Sequence, residues 1–397
     1  MTVLEKPKVL IAGAGLGGMA AAGCLLQKGY HVRVFEQAAE LGEVGAGIHL
    51  SANAVKVMWH LGLADDLEKI GSKPKAYVFR LFQSGEILQT FALGEEHYRL
   101  NGAPYYHFHR ADLHDLLVRR VQQLDPEAIA LNSTAERFTQ TGSTIVLHLG
   151  DGRREEGDLL IGADGIKSVI REQILGATEA HFTGDTAWRV LVPQGRLGND
   201  FMDRVMTVWV GPGAHAVTYY VRGGDLLNFV GLVENPNWKV ESWIVKSDWS
   251  EMRDDFATWH SDVQRIIDNA DKDQCYRWAL FDRPNAERWN QGHVTLLGDS
   301  AHPMLPYLAQ GAVMAIEDAA VLTRCLDTFD SIEEALDVYQ RNRIPRTSRV
   351  VDESTANGKL FHLKTEESFR EAFGKRKLGV ERNQWLYNYD PLSVELV

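Results

Sequence analysis

Short apolar runs broken by glycines dominate the start of the chain. Val9-Leu10-Ile11-Ala12 is uninterrupted, as in a strand buried on both faces, and residues 19–26 are helix formers. The strand pattern returns at 31–35, around 160 and at 293–297. In the middle of the chain the pattern alternates instead. Residues 205–210, 215–221 and 226–233 read as strands with one buried face, joined by hairpin turns at 211–213 and 222–225. Strand-like stretches also lie at 76–82 and 86–91, and a helix is expected over 314–326. The tail holds helical runs at 332–344, stopped before Pro345, and at 347–363. The pattern predicts an α/β chain with an inserted antiparallel sheet and a helical tail.

Between the first strand and the first helix lies Gly13-Ala-Gly15-Leu-Gly-Gly18, spaced as GxGxxG. Gly13 permits the tight turn, Gly15 lets the backbone approach a pyrophosphate, and Gly18 allows close helix–strand packing. The helix N-terminus adds free N–H groups for the phosphates. Glu36 ends the second strand about 20 residues later, where a carboxylate binds a ribose diol, with Gln37 beside it. Residues 9–26 carry no charge and approach transmembrane length, but five glycines and the change of pattern midway favour strand, turn and helix.

The far part of the chain supplies a second half-site. Residues 293–297 lead into Gly298-Asp299, then Ala301-His302-Pro303, then Gln310-Gly311-Ala312-Val313 at the head of the 314–326 helix. Asp299 could hold a polyol hydroxyl. The N–H groups of Gly311, Ala312 and Val313 could stabilise negative charge on a bound ring. A long dinucleotide touched by both ends of the chain suits FAD. Gly162-Ala-Asp164-Gly165 reads locally as a strand, a turn and a capped helix.

Composition narrows the picture. The 397 residues carry a formal charge of −12, which argues against a nucleic-acid partner. Cys24, Cys275 and Cys325 lie too far apart for a redox dithiol or a disulfide framework. His107 and His109 have no third convergent ligand, so no metal is expected. Residues 1–8 lack the regions of a signal peptide, and the expected setting is cytoplasmic, without membrane attachment. Trp188, Trp209, Trp238, Trp243, Trp249 and Trp259 fall in the insert, where core packing is the ordinary role and an aromatic pocket the alternative.

Taken in order, GAGLGG, Glu36, GEVGAGIH at 42–49, His109-Arg110-Ala-Asp112-Leu, GADG, GDSAHP at 298–303 and AQGAVMAIEDA at 309–319 resemble the single-component FAD-dependent aromatic hydroxylases. The closest cluster holds salicylate hydroxylases, 3-hydroxybenzoate 6-hydroxylases and 6-hydroxynicotinate 3-monooxygenases. The resemblance spans essentially the whole chain. It implies a Rossmann-like, glutathione-reductase-type FAD-binding domain (1–75, 102–180, 277–325), an inserted β-sheet substrate domain (76–101, 181–276) and a C-terminal helical region (326–397). It further implies that Arg110 reaches the flavin's ribityl or phosphate region and that Asp164 belongs to the cofactor- and reductant-binding element. NADH or NADPH would be a transient co-substrate, and O₂ would react through a flavin C4a-hydroperoxide. The expected substrate is a hydroxylated aromatic or pyridine carboxylate, losing CO₂ where the attacked carbon bears the carboxylate. A homodimer is compatible with this reading. A soluble flavin-dependent oxidase or dehydrogenase and a non-catalytic FAD-binding sensor are the alternatives.

In the strand His215-Ala-Val-Thr-Tyr219, residues two apart share a face, so His215, Val217 and Tyr219 point one way. A His and a Tyr there could be a satisfied structural pair or could orient a polar ring. The 6-hydroxynicotinate enzymes resemble this chain at His49, His215 and Tyr219. Tyr307 stands where they tend to carry His and is reminiscent of the other two groups. The resemblance thus names His49, His215 and Tyr219 as catalytic candidates, with one His as base to the ring hydroxyl, and Tyr307 as a pocket residue.

Overall fold

The computed structural model describes residues 6–42, 46–198, 201–240, 245–375 and 380–397. A six-stranded sheet runs in the order Asn290–Gln291, Val294–Leu296, Leu159–Gly162, Lys8–Ala12, His31–Phe35, Ile129–Ala130. All its pairings are parallel except that of the two edge strands at 290–296. Val9 to Ala12 and Leu159 to Ile161 are wholly buried. That is why these strands read as unbroken apolar runs: both faces are covered. Helices Leu16–Gln27 and Gly311–Thr328 pack against each other on this sheet.

A seven-stranded sheet runs in the order Tyr276–Asp282, His181–Pro193, Leu226–Glu234, Ala214–Val221, Met206–Gly211, Ala76–Leu81, Ile87–Ala92. The two stretches at 76–92 therefore join the inserted sheet. Tyr276–Asp282 does not follow the division expected from the sequence. It pairs with His181–Pro193, so the return to the first sheet comes after Asp282 rather than at 277. One face of this sheet buries Trp188, Trp209 and Phe229 against Met252, Phe256, Val263 and Ile266 from helices Trp249–Asp255 and Ser261–Asp268. The opposite face looks towards the six-stranded sheet and lines a cavity.

The tail departs from expectation at one point. Instead of two helical runs separated at Pro345, a single helix spans Ile332–Phe361 with Pro345 inside it. Proline in a helix interior costs about 3 kcal/mol. The residues beside it explain why the helix continues. Arg343 Nε and Nη1 donate to Asp318 (2.6 Å) and Glu317 (2.7 Å), and Arg346 grips Glu317 through Nε and Nη2, both at 2.7 Å. Glu317 and Asp318 lie on helix Gly311–Thr328 and, like Arg343, are completely buried. Burial pushes both carboxyls up, but the surrounding cations outweigh it and hold them below their ordinary values.

Removing one member of such a set leaves an uncompensated buried charge. Arg343→Met is expected to lower unfolding free energy by about 3–5 kcal/mol, read as a shift of the urea midpoint at unchanged m-value.

Candidate active site

The cavity between the sheets measures about 790 Å³, within the range of small-molecule sites. At one end it meets the glycine loop. Gly13 has φ +102°, and a β-carbon there would collide with the Ala163 carbonyl oxygen, so only glycine makes this turn. Gly18 is equally constrained, facing the Gly13 carbonyl. Gly15 differs: it lines the cavity, and nothing lies within 4 Å of where its β-carbon would stand. The open space is on the ligand side, at the N-terminus of helix Leu16–Gln27. Glu36 braces this loop, its carboxylate accepting the N–H groups of Ala14 and Ala38, both at 2.9 Å. Each oxygen keeps a lone pair for a further donor. Gln37, Arg110, Asp299, Gly311 and Ala312 line the same cavity. Val313 is wholly buried beneath them.

Asp164 sits differently. Its carboxylate accepts from the Ser168 hydroxyl (2.5 Å) and from the N–H of Val169 (2.9 Å) at the head of helix Val169–Leu175. It braces the helix start while its neighbours Ala163, Gly165 and Ile166 line the cavity. Arg171 of that helix donates to the carbonyls of Ser300 and Ala301, locking the 298–303 turn to the 162–165 turn. His302 bonds Asp318 at 2.6 Å within the buried ion cluster.

At the other end, His49, His215, Tyr219 and Tyr307 all line the cavity. They form two groups. His49 lies on strand Gly47–Leu50, paired with His107 on Tyr106–His109. Its ring is 4.3 Å from that of Tyr219 and 4.6 Å from that of His107, and Nδ1 is 3.1 Å from the Tyr105 hydroxyl. Gly47 is what admits Tyr219, since a β-carbon there would strike its ring. His215 instead meets His362, Nδ1 to Nε2 at 2.8 Å, and Tyr307 donates its hydroxyl to Asp185 at 2.5 Å. Four residues along a strand span about 13 Å, so His215 and Tyr219 leave the strand at well-separated points of the cavity wall. Burial holds His49 neutral, down to about 3, and pushes His107 and His215 well below the ordinary imidazole range.

Several lining residues escaped the sequence reading. Arg189 faces the cavity from His181–Pro193; through Val230 it registers with Val217, level with the midpoint between His215 and Tyr219. It is 3% exposed, with its guanidinium 5.1 Å from the Tyr276 ring and 5.6 Å from the Trp278 ring. Burial lowers it to about 10, which leaves it charged at neutral pH. None of the six tryptophans singled out above lines the cavity among the described residues; Trp243 lies outside these, and Trp278 and Trp385 do line it. Trp385, Leu386 and Tyr387 bring the tail to the wall, held by Arg346 bonds to the carbonyls of Trp385 and Leu386. Within the 42–49 motif, Glu43, Val44 and Gly45 lie outside the described residues.

A profile described as an FAD binding domain matches residues 6–354. The chain is 36% identical over 397 residues to a 6-hydroxynicotinate 3-monooxygenase from Pseudomonas fluorescens, covering 99% of this chain and 97% of that one. It is 33% identical over 388 residues to a 3-hydroxybenzoate 6-hydroxylase from Polaromonas naphthalenivorans (strain CJ2), covering 96% of each. The chain belongs to the FAD-dependent aromatic hydroxylases. Klebsiella pneumoniae HpxO complexed with FAD and uric acid superposes with a TM-score of 0.85 at 27% identity, covering 97% of this chain and 96% of that one. A salicylate hydroxylase substrate complex gives 0.81 at 25%, covering 98% and 96%.

The residues of this hydroxylase fit FAD. The open space over Gly15, the helix N-terminus behind it and the free lone pairs of Glu36 suit a pyrophosphate and a ribose. The N-terminus of helix Gly311–Thr328 opens on the same cavity. NADH or NADPH is the usual co-substrate of such enzymes. Among the described residues, no helix is long and apolar enough to cross a membrane.

Gly15→Val, which fills the open space, is expected to abolish FAD retention, measured as the flavin-to-protein absorbance ratio after gel filtration. Glu36→Ala should loosen both the loop and the flavin; full retention in both variants would contradict this cofactor site. A second expectation concerns pH. His49 titrates near 3 when folded against about 6.5 when unfolded. The unfolded chain therefore takes up the proton first as pH falls. The stability His49 contributes is complete above about 6.5 and declines down to about 3, with about 2 kcal/mol gone by pH 5. Denaturant titrations at pH 7 and pH 5 should show the loss, and His49→Gln should reduce it.

Proposed function

We propose that this hydroxylase acts on a hydroxylated aromatic or pyridine carboxylate, with 3-hydroxybenzoate, salicylate and 6-hydroxynicotinate as the leading candidates. The observation that carries the reading is Arg189: a buried guanidinium, flanked by aromatic rings, facing the cavity level with the midpoint between His215 and Tyr219. A desolvated cation there attracts an anionic ring far more strongly than a surface residue would. Its planar fork suits a carboxylate.

FAD, when bound, carries electrons from the nicotinamide coenzyme to O₂ and supplies one oxygen atom to the ring. The protein's part is to make the ring electron-rich and to keep water away. His215 accepts the proton of the ring hydroxyl against the cost of its burial: its Nδ1 faces His362 Nε2 at 2.8 Å, with the carboxylates of Asp185 and Glu234 beyond to offset the charge. Among the described residues His49 meets the neutral groups of His107, Tyr105 and Tyr219, so protonating it is costly; it serves as a neutral hydrogen-bonding partner. Burial raises Tyr219 well above its ordinary value, so it stays a hydroxyl that orients the ring. Tyr307, tied to Asp185, closes the far wall.

The test is a panel of the three candidates plus 4-hydroxybenzoate, scored by NADH consumed against product formed, with ¹⁸O₂ label followed into the ring. Label in the product distinguishes a hydroxylase from an oxidase; flavin binding without substrate-accelerated NADH use would mark a sensor. His215→Ala should retain FAD yet lose about 10²–10⁴-fold in hydroxylation rate. Arg189→Met should raise KM far more for the carboxylate than for the corresponding neutral phenol. Tyr219→Phe should weaken binding or coupling. Wild-type hydroxylation by His215→Ala would exclude it as the base.

A further inference from the structure

The cavity-facing His215 is not an isolated base. It stands at the inner end of a row of groups that reaches the surface on the far side of the sheet edge. His215 Nδ1 meets His362 Nε2 at 2.8 Å. His362 follows helix Ile332–Phe361 and is 8% exposed; its Nδ1 lies 3.6 Å from Glu234 Oε1 and 3.8 Å from Asp185 Oδ1. Asp185 Oδ2 is taken by the Tyr307 hydroxyl. Glu234 is half exposed and is gripped by Lys364 at 2.9 and 2.7 Å. These groups — Asp185 and Glu234 from adjacent strands, Lys364 beyond the helix end, His215 from the inner strand and Tyr307 from the turn — are the titratable side chains around His362.

The geometry also sets the tautomers. Two carboxylates beside His362 Nδ1 favour a proton on that nitrogen, which leaves Nε2 as the acceptor. His215 must then donate through Nδ1, so its Nε2 carries the lone pair left for the cavity. Both rings are thereby poised in one direction, with acceptors towards the substrate and donors towards the surface.

We propose that His362 and Glu234 form a proton exit for the ring hydroxyl, running from His215 to solvent without passing through the cavity. This rests on the reading of His215 as the base. The hydroxyl O–H breaks as an N–H forms at His215 Nε2. The His215 Nδ1–H breaks as one forms at His362 Nε2. The His362 Nδ1–H breaks as an O–H forms on Glu234, the 3.6 Å gap closing by a small side-chain shift or through one bridging water. Glu234 then yields the proton to solvent. Run in reverse, the same hops return a proton to the product's oxyanion and restore both tautomers. Such an exit spares the enzyme from opening its water-excluding cavity to discharge a proton. His362 acts here as a positioning and relay residue that never touches substrate.

The test is stopped-flow mixing of the FAD-loaded enzyme with 3-hydroxybenzoate, salicylate and 6-hydroxynicotinate in weakly buffered solution. Proton release is read with an indicator dye, and ring ionisation by ultraviolet absorbance. Wild type should release one proton on binding the compound it hydroxylates. His362→Gln keeps a hydrogen-bonding side chain but passes protons poorly, and should slow release at least tenfold while leaving the substrate dissociation constant within about twofold. Glu234→Gln, on the surface and safe for folding, should slow release and shift its pH dependence; it carries the test if His362→Gln loses FAD. Wild-type release rates in His362→Gln, or in Glu234→Gln with its pH profile unchanged, would overturn the relay. Failure of the underlying reading looks different: His215→Gln would then release protons and hydroxylate as wild type does, or a hydroxylated compound would release no proton at all.

Discussion

A buried cluster of ionised groups holds the two halves of the site in register. Arg343 and Arg346 on the long tail helix, and Glu317 and Asp318 on helix Gly311–Thr328, are joined by His302 from the 298–303 turn. Asn53 donates to Glu317, and Ser51 beside it receives a bond from Gln310. Arg346 reaches on to the carbonyls of Trp385 and Leu386. Each buried ion carries a desolvation penalty of several kcal/mol, offset only when the whole set is in place. The arrangement is therefore close to all-or-none. Where it forms, the helix terminus opening on the cavity, the turn bearing Asp299 and the tail residues in the cavity wall are set together.

The other end of the cavity obeys a different electrostatic rule. His49, His107 and His215 are buried as neutral rings, and Tyr105, Tyr219 and Tyr307 as intact phenols, their ionisation opposed by burial. Against these neutral rings the charge of Arg189 stands out. A ligand entering there meets ordered hydrogen-bonding groups, and its own charge decides how strongly Arg189 draws it. Arg110, nearer the start of the cavity's cofactor elements, lies within reach of Arg189's field.

What could be read from the chain alone was local. The glycine loop, its flanking strand and helix, and Glu36 are defined by spacing within about 30 residues, and the face shared by His215 and Tyr219 follows from strand alternation. What could not be read depends on pairing across the chain. Arg189 acquires its position only from the register of His181–Pro193 on Leu226–Glu234 and of that strand on Ala214–Val221. His362 matters because a helix end more than a hundred residues away meets His215. The helix running through Pro345 had a local stop signal that was overridden by ion pairs to another helix. Tyr276–Asp282 looked like the start of the return to the cofactor side because its own pattern carries no record of its partner strand.

The order of strands in the six-stranded sheet has a consequence for synthesis. Lys8–Ala12 has a near neighbour in His31–Phe35, but its other neighbour, Leu159–Gly162, is about 150 residues away, and Val294–Leu296 lies further still. The strands from 206 to 234, by contrast, are consecutive hairpins closed by short turns. Local pairings form quickly, while distant ones must first meet the entropy of closing long loops. A chain emerging from the ribosome can thus pair its inserted hairpins while Leu159–Gly162 still lacks its outer partner, Val294–Leu296. That open sheet edge must be shielded from aggregation until the strands at 290–296 are made.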